Sequence, residues 1–244
     1  MATSDIAWLT ARPIAHRGFH DMNGAVWENT ASAFRRAVDR GFAIECDVHL
    51  SADGVPVVIH DGDLRRLCGT EGFVWQRTGA ELRALRVGGT GDHPPTLREL
   101  LELVDGRVPL VIELKGIPGH DGGLVAAVSK LLSNYRGPAA IMSFDHWLIR
   151  DFRRHAPGIA AGLTALGEAE HDLEAHFSML AHDISFVSYC LAHLPNRFVG
   201  FVRQRLGMPV ISWTVRDRPG VARSFAHAEQ MTFEGFDPDA VEIA

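Results

Sequence analysis

Short apolar runs alternate with segments of helical spacing along almost the whole chain, and this alternation limits the possible fold more than any other feature. Eight runs have the length of a buried strand, at 13–16, 42–48, 108–114, 139–142, 159–163, 184–187, 208–213 and 230–233. Helical spacing occupies segments between them, at 30–40, 96–104, 123–134, 147–155, 196–206 and 219–227. Eight candidate strands that alternate with helices within 244 residues favour an α/β fold of the (β/α)8 TIM barrel type over an open sheet.

The residues after the second predicted strand interrupt this alternation. Asp53 and Gly54 form a turn signal, and the strand-like segment 55–60 that follows predicts a β-hairpin. The next residues, about 61–95, are rich in glycine and polar side chains, with one short helical piece at 80–85. We interpret them as a small insertion beside the active face of the barrel. No linker is evident, so we expect a single domain over 1–244.

Composition argues against several classes of protein. The chain is 46% hydrophobic with a net charge of −6, and it lacks the lysine or arginine cluster that binds nucleic acid. No run approaches the ~18 apolar residues that cross a bilayer, so we expect no stable membrane insertion. Three widely spaced cysteines predict neither a disulfide framework nor a CxxC metal site. A cytoplasmic location is the resulting expectation.

Three carboxylates fall near the ends of neighbouring predicted strands. Glu45 and Asp47 are two residues apart in one strand and so share a face, and Glu113 lies at the end of the next barrel strand. Buried carboxylates side by side need a cation between them, and such oxygen ligands suit Mg²⁺ or Ca²⁺. All three are therefore candidate metal ligands. The alternatives are a solvated edge strand for the first two, and an ion pair between Glu113 and Lys115.

Two histidines and two cationic side chains accompany the carboxylates. His16 and Arg17 end the first predicted strand, and His60 ends the hairpin strand. Two histidines can serve as acid and base because each exchanges a proton near neutral pH. The planar guanidinium of Arg17 and the compact charge of Lys115 both suit phosphate oxygens. For each histidine, the alternative is a purely structural role at a strand end.

Two further residues are compatible with more than one role. Glu28, with Asn29 and Thr30, precedes the first clear helix, where residues of these types act as caps. The Glu28 carboxylate either pairs with the helix dipole or reaches the metal face. Trp213, at the end of a predicted strand, either lines a substrate pocket or packs in the core.

The order and spacing of these residues strongly resemble the glycerophosphodiester phosphodiesterase family. The matching motifs are His16-Arg17-Gly18, Glu28-Asn29-Thr30, Glu45-x-Asp47, His60-Asp61 and Glu113-Leu114-Lys115. The resemblance is sharp over 13–61 and 113–115, and looser at 95–101, 143–145 and 212–215. It breaks down at 231–238, where the family has a GIxTDxP-like pattern, so the last strand is atypical.

The resemblance implies a TIM barrel and a set of roles for the site residues. Glu45, Asp47 and Glu113 would bind Mg²⁺ or Ca²⁺, His16 and His60 would be the acid/base pair, and Arg17 and Lys115 would hold the phosphate. The implied reaction is metal-dependent hydrolysis of a small-molecule glycerophosphodiester to an alcohol and sn-glycerol 3-phosphate. The sequence leaves open the head group, the choice of metal, the oligomeric state and the assignment of acid and base. It also leaves open whether water or the glycerol 2-hydroxyl attacks.

Two other functions are compatible with the same motifs. One is phospholipase D-like cleavage of lysophospholipids or sphingolipids, although no apolar lipid-facing loop is evident in the sequence. The other is a barrel that binds phosphorylated ligands without catalysis, as happens when a fold is reused.

Overall fold

The computed structural model describes residues 6–240, and its central feature is a closed barrel of parallel strands. The strands are β1 (Ile14–Ala15), β2 (Ala43–Leu50), β3 (Pro56–Val58), β4 (Leu110–Leu114), β5 (Ala139–Ser143), β6 (Ala160–Ala165), β7 (Phe186–Cys190), β8 (Val210–Val215) and β9 (Gln230–Phe233). All except β3 form the barrel, in the order β1-β9-β8-β7-β6-β5-β4-β2, and β1 closes it by pairing with β2. The predicted (β/α)8 barrel is confirmed.

Helices cover the outside of the barrel. They are α1 (Ala31–Asp39), α2 (Arg65–Cys68), α3 (Gly79–Arg83), α4 (Leu97–Val104), α5 (Leu124–Leu132), α6 (His146–His155), α7 (Glu170–Met179), α8 (Arg197–Leu206) and α9 (Arg218–His227). All except α2 and α3 connect one barrel strand to the next. Local sequence determines where several helices begin. At the start of α4, the Thr96 hydroxyl accepts from the backbone N–H of Glu99, and the Glu99 carboxylate accepts from the backbone N–H of Thr96.

Apolar side chains fill the amino-terminal end of the barrel interior. The cluster consists of Leu9, Ile14, Ala43, Val111, Ala140, Met142, Ala160, Phe186 and Ile211. Side chains alternate inward and outward along each strand, so the next inward positions of β2 and β4 are Glu45 and Glu113. The apolar layer therefore supports a polar layer at the carboxyl ends of the strands, the end where barrels of this type have their sites.

The hairpin and the insertion extend from β2 on the same side. Strand β3 pairs antiparallel with β2, and α2, a short 3-10 turn at Val74–Gln76 and α3 follow it. These segments pack around an apolar cluster of their own: Val57, Ile59, Leu64, Leu67, Val74, Leu82 and Val87. The sequence pattern predicts the insertion and α3, but α2 and the 3-10 turn are too short to be recognised from spacing.

The observed elements differ from the predicted ones for identifiable reasons. Strands β6 and β7 run on to Ala165 and Cys190, because inward Thr164 and Ser188 interrupt the apolar runs from which the strands are predicted. Helix α7 is absent from the predicted helices because it presents only a narrow buried stripe, Leu173, His176 and Met179. Within residues 6–240, no helix combines the length and apolar character that crossing a membrane requires.

Close packing inside the barrel predicts that one added methyl group on β6 will destabilise the fold. A Cβ at Gly162 on β6 would lie 2.4 Å from the buried Phe186 ring. We expect Gly162→Ala to lower the free energy of unfolding by about 1–3 kcal/mol, measured by urea denaturation. The control is Gly200→Ala in α8, where an added Cβ meets nothing within 4 Å. This variant should raise the free energy of unfolding by about 0.5–1 kcal/mol, because alanine favours a helix more than glycine does. Equal stabilities of the two variants would contradict this packing.

Candidate active site

Three carboxylates converge at the carboxyl end of the barrel. Asp47 on β2 lies beside Glu113 on β4 in the parallel register, and Glu45 is two residues earlier on the same inward face. One oxygen of each carboxylate lies within 4.8 Å of the others. The residues are 2%, 1% and 5% exposed in the order Glu45, Asp47 and Glu113. Because β2 is paired with β1 and β4 and both side chains are buried, Glu45 and Asp47 do not lie on a solvated edge strand.

Burial and mutual repulsion give the three carboxyl groups different pKa values. Burial, together with the charges of Asp47 and Glu113, raises the pKa of Glu45 well above its ordinary value. Burial likewise raises the pKa of Glu113 to about 7 despite its contact with Lys115. Burial also acts on Asp47, but Lys115, His60 and Arg17 outweigh it and hold the Asp47 pKa below its ordinary range. The positive charge of the protein alone therefore does not compensate all three carboxylates.

Lys115 and Arg17 supply the positive charge that is present. The Lys115 ammonium lies 2.8 Å from Asp47 Oδ1 and also contacts Glu113. The Arg17 guanidinium donates to Glu28 at 2.7 Å and lies 3.4 Å from Asp47 Oδ2. The backbone N–H of Arg17, at a φ of 54°, donates to Glu45 at 2.9 Å. The ion pair between Glu113 and Lys115, expected as an alternative to metal binding, is thus present within the carboxylate cluster.

An ion-pair network orients His60. Its Nδ1 donates to Asp61 at 2.7 Å, and Arg66 of α2 donates to the same carboxylate at 2.6 Å and to Glu28 at 2.8 Å. The hydrogen bonds from Arg66 contribute most to lowering the pKa of Asp61, to about 2. Burial lowers the pKa of His60. The ring is therefore held by a carboxylate that the insertion itself fixes in place.

A carboxylate that follows the neighbouring strand β9 contacts His16. Nδ1 of His16 contacts Glu234 Oε2, and its Nε2 lies 3.9 Å from Glu45 Oε2. Glu234 directly follows β9, and Arg216 directly follows β8 and donates to Glu234 at 2.8 Å. Burial lowers the pKa of His16.

These groups surround a cavity of about 150 Å³. Its charged wall consists of His16, Arg17, Glu45, Asp47, His60, Glu113, Lys115 and Arg216. Its neutral wall includes Met142, Phe144, Thr164, Ser188, Trp213 and Thr232. Trp213 lines this cavity, where it meets Phe144 edge to face at 5.4 Å, so it does not pack only in the core. A larger groove of about 530 Å³ between α1 and α4 lies away from this convergence of groups.

Eight of the nine residues selected from the sequence line one cavity, and Glu28 does not. Its carboxylate lies behind Arg17 and accepts from Arg66 and Asn23. Thr30 caps α1 as expected, accepting from Ala33 at 3.3 Å, whereas Asn29 donates to Asp47 at 2.8 Å.

Sequence reasoning missed Arg66, Arg216 and Glu234. Arg66 lies in the irregular insertion, and Arg216 belongs to no motif quoted above. Glu234 lies inside the atypical segment 231–238. The one available signal was a carboxylate directly after the last predicted strand, the position where barrel strands present functional groups.

The three carboxylates suit a divalent cation. They offer only oxygen donors, which hard cations such as Mg²⁺ and Ca²⁺ prefer. The raised pKa values of Glu45 and Glu113 show that this cluster favours additional positive charge. Glu45, Asp47 and Glu113 therefore form a candidate metal centre.

Comparison with known proteins identifies the family. The family model described as glycerophosphoryl diester phosphodiesterase matches residues 16–242. A glycerophosphodiester phosphodiesterase of Caldanaerobacter subterraneus is 40% identical over 162 residues, which cover 62% of this chain and 65% of that protein. Bacillus subtilis YhdW is 30% identical over 227 residues, covering 86% of this chain and 88% of that protein.

A solved structure agrees over most of the chain. The phosphodiesterase of Oleispira antarctica, in complex with the product sn-glycerol-3-phosphate, superposes with a TM-score of 0.79 at 25% identity, covering 92% of each chain. The chain therefore belongs to the glycerophosphoryl diester phosphodiesterase family.

Proposed function

We propose that this protein hydrolyses glycerophosphodiesters to an alcohol and sn-glycerol 3-phosphate. The observation that carries the proposal is the convergence of three buried carboxylates, two histidines and three cationic side chains on one small cavity. A member of the same fold, 25% identical, was solved with sn-glycerol-3-phosphate, the product expected here. A cytoplasmic location and a single-domain organisation stay predictions.

Glu45, Asp47 and Glu113 are the residues that would hold a divalent metal, Mg²⁺ or Ca²⁺. Such an ion, when bound, polarises a phosphoryl oxygen and acidifies the attacking hydroxyl or water. Arg17 and Lys115 would bind phosphate oxygens and neutralise their charge. Because Lys115 contacts Asp47 and Glu113, it is close enough to serve both the carboxylates and a phosphate.

His16 and His60 are the proposed proton carriers. Each donates through Nδ1 to a carboxylate, Glu234 or Asp61, so each keeps Nε2 available for a proton on the reacting group. One histidine would take a proton from the attacking oxygen, and the other would protonate the departing alkoxide, which is too basic to leave unprotonated. Burial lowers the pKa of both histidines and so favours the neutral form, which suits the one that acts as base; the one that acts as acid must first carry a proton on Nε2.

Aromatic side chains packed near the residues that follow His60 and Lys115 favour cleavage of lysophospholipids as a second candidate function. Trp75 packs against Gly62, two residues after His60, and Trp147 packs against Gly116, next to Lys115. Trp147 is exposed, as is Phe73, which stacks on Trp75 at 4.6 Å. Exposed apolar side chains beside a cavity offer a surface for an acyl chain. Cleavage of lysophosphatidylcholine with glycerophosphocholine left intact would favour this second function.

Replacing either histidine should abolish turnover without unfolding the protein. We expect His16→Ala and His60→Ala each to lower the kcat by about 100-fold or more. The assay measures glycerol 3-phosphate released from glycerophosphocholine and glycerophosphoethanolamine, after chelation and after restoring Mg²⁺ or Ca²⁺. His171→Ala, on an exposed part of α7, is the matched control and should retain activity. Retained activity in either site variant would contradict the proposed roles, and release that persists under chelation would contradict the metal requirement.

Removing one carboxylate should stabilise the metal-free protein in a pH-dependent way. The Glu113 pKa rises from 4.5 to about 7 on folding, so the folded state binds the extra proton and loses stability as pH rises through this range. Glu113→Gln imitates the protonated form. In chelator we expect this variant to exceed the wild-type stability by up to about 3 kcal/mol at pH 8 and by little at pH 4.

Urea denaturation at both pH values measures this difference. With saturating divalent metal the order should reverse, because the variant lacks a ligand. A stability difference that does not change with pH would show that burial does not perturb Glu113.

A further inference from the structure

The two oxygens of Glu234 have different partners. Oε2 contacts Nδ1 of His16, whereas Oε1 accepts from Nε of Arg216 at 2.8 Å and lies 2.7 Å from its Nη2. Glu234 is only 8% exposed, although half or more of the Arg216 side chain is in solvent. The carboxylate therefore lies between a solvent-facing arginine and a histidine of the cavity.

Backbone hydrogen bonds fix both ends of this contact. The N–H of His16 donates to Phe233 at 2.9 Å, and the N–H of Glu234 donates to Val215 at 3.0 Å. Strand β9 pairs with both β1 and β8, so His16, Glu234 and Arg216 follow three adjacent strands. The relative position of the carboxylate and the imidazole is thus determined by the sheet itself.

We propose that Glu234 is a positioning residue that holds the hydrogen of His16 on Nδ1 and directs its Nε2 toward the reacting atoms. A carboxylate accepts hydrogen bonds but donates none, so the imidazole nitrogen beside it must carry a hydrogen. The other nitrogen then faces the cavity, where Glu45 lies 3.9 Å away. This role rests on the proposed hydrolase function, and it gives the atypical segment after β9 a part in the chemistry.

A purely structural role is the competing explanation. His20 Nε2 lies 3.8 Å from the same Glu234 oxygen, so the carboxylate could serve only to compensate buried histidines. The two explanations differ for an amide at this position. Arg216 has only donors, so in Glu234→Gln it keeps the amide oxygen and turns the NH₂ group toward His16. That group donates to Nδ1 and imposes the opposite tautomer.

The kinetic test uses this asymmetry. We expect Glu234→Gln to lower the kcat by about 100-fold or more, with the KM and the affinity for Mg²⁺ within about threefold of wild type. In the double variant with Arg216→Met, the amide is free to turn its oxygen to Nδ1. We expect the kcat of this double variant to be about tenfold higher than that of Glu234→Gln. A structural counter-ion predicts further loss instead.

Glu229→Gln is the matched control, since Glu229 precedes the same strand and pairs with Arg203 at 2.8 Å. It should leave the kcat within about twofold. A Glu234→Gln variant within about threefold of wild type, or a double variant no better than the single one, would overturn the proposal.

The imidazole ¹⁵N resonances of His16 provide a readout that needs no turnover. We expect the Nδ1–H tautomer in the wild type and the Nε2–H tautomer in Glu234→Gln. An Nε2–H tautomer in the wild type would refute the positioning role whatever the kinetics. If the protein releases no glycerol 3-phosphate at all, the proposed function fails, while the resonances still test Glu234.

Discussion

Repulsion among three buried carboxylates is the constraint on which the rest of this site depends. Glu45, Asp47 and Glu113 point into the barrel from two adjacent strands and are almost completely removed from water. Such a cluster is tolerated only where cations compensate it. Lys115 and Arg17 compensate it in part, and the raised pKa values of Glu45 and Glu113 reflect the repulsion and burial that remain uncompensated. A divalent ion satisfies the same electrostatic need, which links stability of this end of the barrel to catalysis.

The surrounding polar groups are arranged in two similar chains of contacts. His60 donates to Asp61, which Arg66 holds, and His16 contacts Glu234, which Arg216 holds. The first chain runs through the insertion, and the second runs across the last two barrel strands. Each histidine thus contacts a carboxylate that is itself held by an arginine from another segment, so distant parts of the chain determine the surroundings of both imidazoles.

Local pattern in the sequence was sufficient for the barrel and for the residues of the candidate metal centre. Alternation of apolar runs with helical segments reflects a parallel sheet covered by helices, and Glu45, Asp47 and Glu113 follow from strand geometry. The pattern fails where polar residues point inward, as Thr164 does in β6, and where a helix buries a narrow stripe, as α7 does. The contacts of Glu234 and Arg66 with the other site residues depend on closure of the barrel and on packing of the insertion, which local spacing does not encode.

The cavity wall changes character around its circumference. Strands β1, β2 and β4, with the end of the hairpin, present almost all of its charge, while β5 to β8 present Met142, Phe144, Thr164, Ser188 and Trp213. The charged groups are therefore confined to one arc of the barrel, and the opposite arc lines the cavity without compensating any buried charge. A combinatorial library restricted to that neutral arc would vary the shape offered to the alcohol while leaving the electrostatic balance of the centre intact.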